Sequence, residues 1–281
     1  MAKKGPIGFF DSGYGGLTVL EEVKKVLPEY DYLYLGDNAR APYGTKSFDV
    51  VYEYTWQCVK ELFNRGCELV ILACNTASAK ALRSIQQNEL INYPGKRVLG
   101  VIRPSAENVG KLSKTNEIVV LATEGTVNSL SYVLEFEKHS PGTVVNQQAC
   151  PFWVPLVENN EFKNEEGLQF IKKDIDKVLS DFPNIDVIVL GCTHYPILLP
   201  VLEKLVPSHI LIISQGEIVA HSLKHYLKRH MWLVKKLSTN KKCKFLTTEN
   251  SAVFESSVKS ILGLDLKAKQ IEIKNIEYGI N

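Results

Sequence analysis

Short, unbroken apolar runs recur along the chain, separated by longer stretches in which apolar positions return with a helical period. Runs of that kind fit strands buried on both faces, and the amphipathic stretches between them fit helices that cover the sheet. Strands are predicted over residues 7–10, 32–35, 69–73, 98–102, 118–122, 144–147, 187–191, 210–213 and 244–247. Helices are predicted over 17–26, 48–65, 77–88, 105–112, 129–136, 165–181, 197–205, 217–230 and 252–261. Strands alternating with helices give an α/β fold with mainly parallel sheets.

The pattern also repeats. Glu68-Leu-Val-Ile-Leu-Ala-Cys74-Asn-Thr aligns without gaps on Asp186-Val-Ile-Val-Leu-Gly-Cys192-Thr-His, and residues 7–13 resemble 118–125 as a strand ending in a Gly-containing turn. Two similar lobes follow, related by pseudo-twofold symmetry, each with a cysteine at the carboxyl end of a strand, where open α/β sheets bind ligands. The first lobe takes residues 1–102, the second 103–213. The remainder, 214–281, is expected to pack back on the first lobe, which is therefore discontinuous.

Composition narrows the function. With 45% hydrophobic and 23% charged residues the chain reads as an ordinary globular protein, and a net charge of +2 gives no basis for a nucleic-acid or membrane partner. Lysine-rich stretches at 224–244 and 267–274 lack interleaved aromatics for stacking bases and read as solvated faces. The first apolar run is broken at Asp11, too early for a signal peptide, and no run is long enough to span a membrane. A cytosolic location is expected, with the six cysteines reduced. They contain no C-x-x-C pair, and His221 and His225 on one helix face are too few for a metal site, so no metal is expected.

Candidate chemistry gathers at the strand ends. Cys74 and Cys192 each follow a buried strand and precede a helix, whose N-terminal amides and dipole favour a thiolate or a bound carboxylate. Asn75, Thr76 and Ser78 are expected caps on the first, and Pro196 suits a first helical turn on the second. Cys58, Cys67, Cys150 and Cys243 lack this setting and read as small buried hydrophobes. His194, two residues past Cys192, fits an acid–base or tuning role. Asp11-Ser-Gly-Tyr-Gly-Gly16 after the first strand allows close backbone approach to a ligand. Gly13–Thr18 with Asp37 partly mimics a dinucleotide fingerprint, but Thr18 replaces its third glycine. The loop 37–44 fits a cleft wall and a plain connection equally well.

Taken in order, Phe10-Asp-Ser-Gly-Tyr-Gly-Gly-Leu17, Ala41-Pro-Tyr-Gly44, Ala73-Cys-Asn-Thr-Ala77, Ala149-Cys-Pro151, Pro155-Leu-Val-Glu158 and Gly191-Cys-Thr-His-Tyr-Pro196 resemble the glutamate racemases. The resemblance implies a PLP-independent, cofactor-free enzyme that interconverts L- and D-glutamate with two cysteine bases, supplying D-glutamate for peptidoglycan. It makes Cys74 and Cys192 the proton-transfer pair, with Asp11 assisting Cys74, and His194 and Glu158 assisting Cys192. Substrate would be held by Asp11, Ser12, Tyr43, Gly44, Asn75, Thr76, Thr193 and His194, in a homodimer. The sequence departs from the family pattern at Tyr14 and at Arg103-Pro-Ser105, and matches it poorly beyond Lys267. An aspartate racemase or related two-cysteine enzyme is the nearest alternative; an NAD-dependent oxidoreductase leaves both cysteine elements unexplained.

Overall fold

The computed structural model describes residues 4–273. In chain order its strands are β1 (Ile7–Asp11), β2 (Tyr32–Gly36), β3 (Leu69–Leu72), β4 (Arg97–Gly100), β5 (Glu117–Ala122), β6 (Val144–Ala149), β7 (Val187–Gly191), β8 (Leu211–Ser214), β9 (Cys243–Thr247) and β10 (Ala268–Gln270). They form two sheets, ordered β10-β9-β2-β1-β3-β4 and β6-β5-β7-β8, and every pairing is parallel. The order β2-β1-β3-β4 in the first is matched by β6-β5-β7-β8 in the second. The repeat is therefore real in space: β1 corresponds to β5, and β3 to β7.

Alternation along the central strands builds a core on each face of each sheet. In β1, Ile7 and Phe9 face the helices Gly16–Val26 and Gln215–Arg229, while Phe10 faces the helix Phe48–Asn64. Fully burying one such side chain contributes about 1.5–3 kcal/mol. After β8 the chain returns to the first sheet, where β9 pairs with β2, and β10 adds the outer edge. The helix Ser251–Leu262 belongs to the first core through Phe254 and Val258, yet its Ile261 reaches the core of the second sheet.

Several boundaries differ from the sequence reading. The strand expected to run to residue 102 stops at Gly100, because Ile102 opens a helix that carries Pro104 in its first turn, where a missing N–H costs nothing. The helix expected over 77–88 starts at Asn75 and breaks after Lys80 into short turns, including a π-turn at Ile85–Glu89. The helix expected over 129–136 spans Ser131–His139, preceded by a separate Glu124–Asn128 turn and by Leu130 in a left-handed conformation. A helix at Trp153–Glu158, with Pro155 in its first turn, was not among the predicted elements. The edge strand Ala268–Gln270 is too short and polar to announce itself.

In the first lysine stretch, Leu227 and Leu233 turn inward and Lys228 and Arg229 face solvent. The end of the second stretch, at Lys274, and the tail to Asn281 lie outside the described residues. Among the described residues no helix is long and apolar enough to cross a membrane.

Candidate active site

The carboxyl ends of β1 and β3 in one sheet and of β5 and β7 in the other open onto one cavity of about 100 Å³. Drug-sized pockets run to roughly 300–1,000 Å³, so this one suits a small molecule. Ser12, Tyr43, Gly44, Cys74, Asn75, Thr76, Glu158, Cys192, Thr193 and His194 all line it. Asp11 does not: its fully buried carboxylate lies one residue behind the wall.

Cys74 occupies the N-cap of the helix Asn75–Lys80, and its Sγ accepts the Ala77 N–H at 3.4 Å. Only Ala73 separates the strand from Cys74, so the cysteine itself becomes the cap. Asn75, Thr76 and Ser78, expected as caps, lie inside the helix instead, and Ser78 Oγ donates back to the Leu72 carbonyl at 2.9 Å. Ser12 Oγ stands 3.4 Å from Cys74 Sγ. Burial, and then the charge of Asp11, push the Cys74 thiol up to about 12, overriding the hydrogen bonds from Ser12 and Ala77. At neutral pH Cys74 is a thiol.

Cys192 does not repeat this arrangement, contrary to the expectation of matched settings. A 3₁₀ turn, Tyr195–Leu198, intervenes before the helix Leu199–Leu205, with Pro196 in its first turn. Instead of a helix amide, Sγ faces His194 Nδ1 at 3.9 Å, and His194 Nε2 meets Glu158 Oε1 at 3.0 Å. Burial alone would depress the imidazole. The contacts with Cys192 and Glu158 outweigh it and raise His194 to about 10. A buried imidazolium thus stands beside the second thiol.

Asp11 links the two halves. Its Oδ2 accepts from the Gly13 and Gly16 amides at 3.1 and 3.0 Å, and its Oδ1 accepts from Thr193 Oγ1 at 3.4 Å. Burial raises its pKa, against the opposing positive charge of His194. Gly15 permits the approach: a Cβ there would sit 2.4 Å from Thr193 Oγ1 and 2.7 Å from His194 Nδ1.

On the facing wall Thr76 Oγ1 lies 2.9 Å from Thr123 Oγ1, and Asn75 Oδ1 accepts from Tyr132 O–H at 2.7 Å. Asn75 Nδ2 is buried without a partner. The loop 37–44 is a cavity wall, not a plain connection, since Ala41 to Thr45 line it. Tyr43 brings ring and backbone only, because its hydroxyl donates to Asp37. Arg40 Nε and Thr248 Oγ1 also bond Asp37, at 2.7 and 2.9 Å. With Asp37 fully engaged and Gly15 closed off by Thr193, the dinucleotide reading falls.

Thr123, Glu124, Pro151 and Val154 line the cavity unforeseen. For Thr123 the signal was present, since the repeat places it opposite Ser12. Tyr14, the departure in the glycine turn, points away from the cavity lining to donate to Glu249 Oε1 at 2.7 Å.

Known proteins resemble this chain in sequence and in fold. A glutamate racemase of Ruegeria sp. strain TM1040 is 42% identical over 79% of this chain and 85% of its own. The crystal structure of a glutamate racemase isoform from Bacillus anthracis superposes with a TM-score of 0.84 at 31% identity, covering 96% of this chain and 98% of that one. A glutamate racemase from Francisella tularensis, solved in complex with D-glutamate, gives a TM-score of 0.82 at 29% identity over 96% and 98% of the two chains. The family model described as Asp/Glu/Hydantoin racemase matches residues 17–223, which take in Cys74, Cys192 and the cavity between them, and the chain belongs to that family.

Proposed function

We propose that this chain is a glutamate racemase, passing the α-proton of glutamate between Cys74 and Cys192 without a cofactor. The observation that carries the reading is the pair of thiols, one from each sheet, on the wall of a single small cavity. One base cannot serve both faces of a planar intermediate; two can.

In one direction a Cys192 thiolate, with the His194 imidazolium as its counter-ion, takes the α-proton. The electron pair left on the α-carbon spreads into the carboxylate. The Cys74 thiol then delivers its proton to the opposite face and becomes the thiolate, so charge and protons balance. The reverse direction exchanges the roles. A negative charge on Cys192 adds to the burial and the Asp11 charge that push the Cys74 thiol up. The developing negative charge needs donors fixed in a low-dielectric site. Ser12, Asn75, Thr76, Thr193, His194 and the backbone at Tyr43 and Gly44 supply them, and Asp11 gives negative charge on the ammonium side, behind Ser12. Glu158 acts on Cys192 through His194.

The same proposal extends to context. The enzyme serves peptidoglycan synthesis, and with it cell shape, in the cytoplasm, and works as a homodimer. Its lobes are 1–102 with 214–281, and 103–213. Aspartate is the competing substrate, one methylene shorter, and a methylene is worth about 10–200-fold in kcat/KM. Circular dichroism of L-glutamate and of L-aspartate, each incubated with the purified protein and no added cofactor, tests the choice. Loss of signal from glutamate at least about tenfold faster than from aspartate is expected; the opposite order overturns the assignment.

A further inference from the structure

We infer that Tyr132 and Gln215 are positioning residues that fix which end of the Asn75 amide faces the substrate. The inference rests on the function proposed above. Gln215 opens the helix Gln215–Arg229, where the chain returns from the second sheet, and Val101 and Ser105 lie where it leaves the first. All three are buried, as are Tyr132 and Asn75.

Gln215 Nε2 stands 3.2 Å from the Val101 carbonyl, 2.7 Å from Ser105 Oγ and 2.7 Å from the Tyr132 hydroxyl. A carbonyl oxygen only accepts, so the group turned toward Val101 is the amide nitrogen. Ser105 Oγ donates to that same carbonyl at 3.3 Å, which leaves its lone pair for Gln215. The amide has two hydrogens for these three oxygens: one is directed to Tyr132, and the other is shared between Ser105 and the more distant Val101 carbonyl. Tyr132, accepting that N–H, turns its own hydrogen to Asn75 Oδ1 at 2.7 Å. With its oxygen held there, Asn75 has one orientation, and its NH₂ is left on the cavity side. That Nδ2 is the buried donor without a partner, on a residue that lines the cavity. The chain Val101–Gln215–Tyr132–Asn75 has a fixed polarity, and its output is an N–H aimed at a substrate carboxylate. A flipped amide would aim an oxygen at the same carboxylate and repel it.

The test is the affinity for D-glutamate by calorimetry, with kcat and KM measured for both enantiomers and melting temperatures to confirm that each variant folds. Tyr132→Phe is expected to weaken D-glutamate binding about tenfold and to lower kcat/KM by at least that factor for both enantiomers, since Asn75 also meets the developing charge. Gln215→Glu presents an acceptor to Tyr132, reverses the chain and flips Asn75, so it is expected to weaken binding more than Tyr132→Phe does. Combining the two should be no worse than Tyr132→Phe alone, because without the hydroxyl no reversal reaches Asn75. If Gln215→Glu does not fold, Gln215→Met in the same cycle must be non-additive with Tyr132→Phe. Additive effects, or an unchanged affinity in Tyr132→Phe, overturn the inference. A wild-type protein that neither binds nor racemises glutamate would overturn the proposed function and this inference together.

Discussion

Cys74 and Cys192 stand at equivalent strand ends, yet their surroundings differ. Cys74 has a helix amide and Ser12; Cys192 has a buried imidazole backed by Glu158. Replacing either sulfur by a hydroxyl removes a usable base, so Cys74→Ser and Cys192→Ser are each expected to lower kcat/KM by 10³-fold or more, on the order of what a positioned acid–base group contributes. Near wild-type racemisation by either variant would break the pair. His194 also predicts a pH dependence of stability. Its pKa rises from the ordinary histidine value in the unfolded chain to about 10 in the fold. Stability from the protonated ring is therefore complete below pH ~6.5 and declines as pH rises toward 10. Glu158→Gln removes one cause of the shift, so urea unfolding at pH 6 and pH 9 should differ less than in wild type. An unchanged difference would show that Glu158 does not hold the proton there. The cysteine pair was legible because strand-end position follows from hydrophobic pattern. The pairing of His194 with Glu158 came from the family resemblance alone, because nothing in spacing brings together residues from a turn and a helix so far apart in sequence.

At the scale of elements, the turn between β1 and the helix Gly16–Val26 packs closely against the second half of the molecule at Thr193 and His194. Gly15 has ordinary helical backbone angles, so only space requires glycine there. Gly15→Ala is expected to cost about 1–3 kcal/mol by overpacking against Thr193 and His194. Displacing His194 should also lower kcat/KM about 100-fold. Gly66 is the control: its φ of +92° disfavours alanine, but a Cβ there meets nothing within 4 Å. Gly66→Ala should cost about 1–2 kcal/mol of stability and leave activity intact. Equal activity losses in the two variants would contradict the role given to the close approach. The buried central strands were readable almost to the residue because their apolar runs are continuous. Helix starts were less so, since local capping competes with the pattern: a thiol took the cap expected of Asn75, Thr76 or Ser78. Pro104 and Pro155 interrupt no helix, because each sits in a first turn.

Across the whole molecule, the internal repeat organises function as well as fold. It places one thiol on each sheet and leaves the shared cavity between them, while β9, β10 and the helix Ser251–Leu262 complete the first sheet from the far end of the chain. Truncation before Cys243 would strip two strands from that sheet and remove Phe254 and Val258 from its core, so the shortened chain is expected to lose cooperative unfolding; a stable, active truncation would refute that reading. The central claim, two bases with separate protons, is tested most directly by racemisation of L-glutamate in deuterium oxide. Thiol protons exchange with solvent, so the D-glutamate formed should carry deuterium at the α-carbon while recovered L-glutamate, early in the reaction, keeps its protium. Deuterium entering recovered L-glutamate as fast as it enters the product would mean that a single base serves both faces, and would contradict the assignment of Cys74 and Cys192.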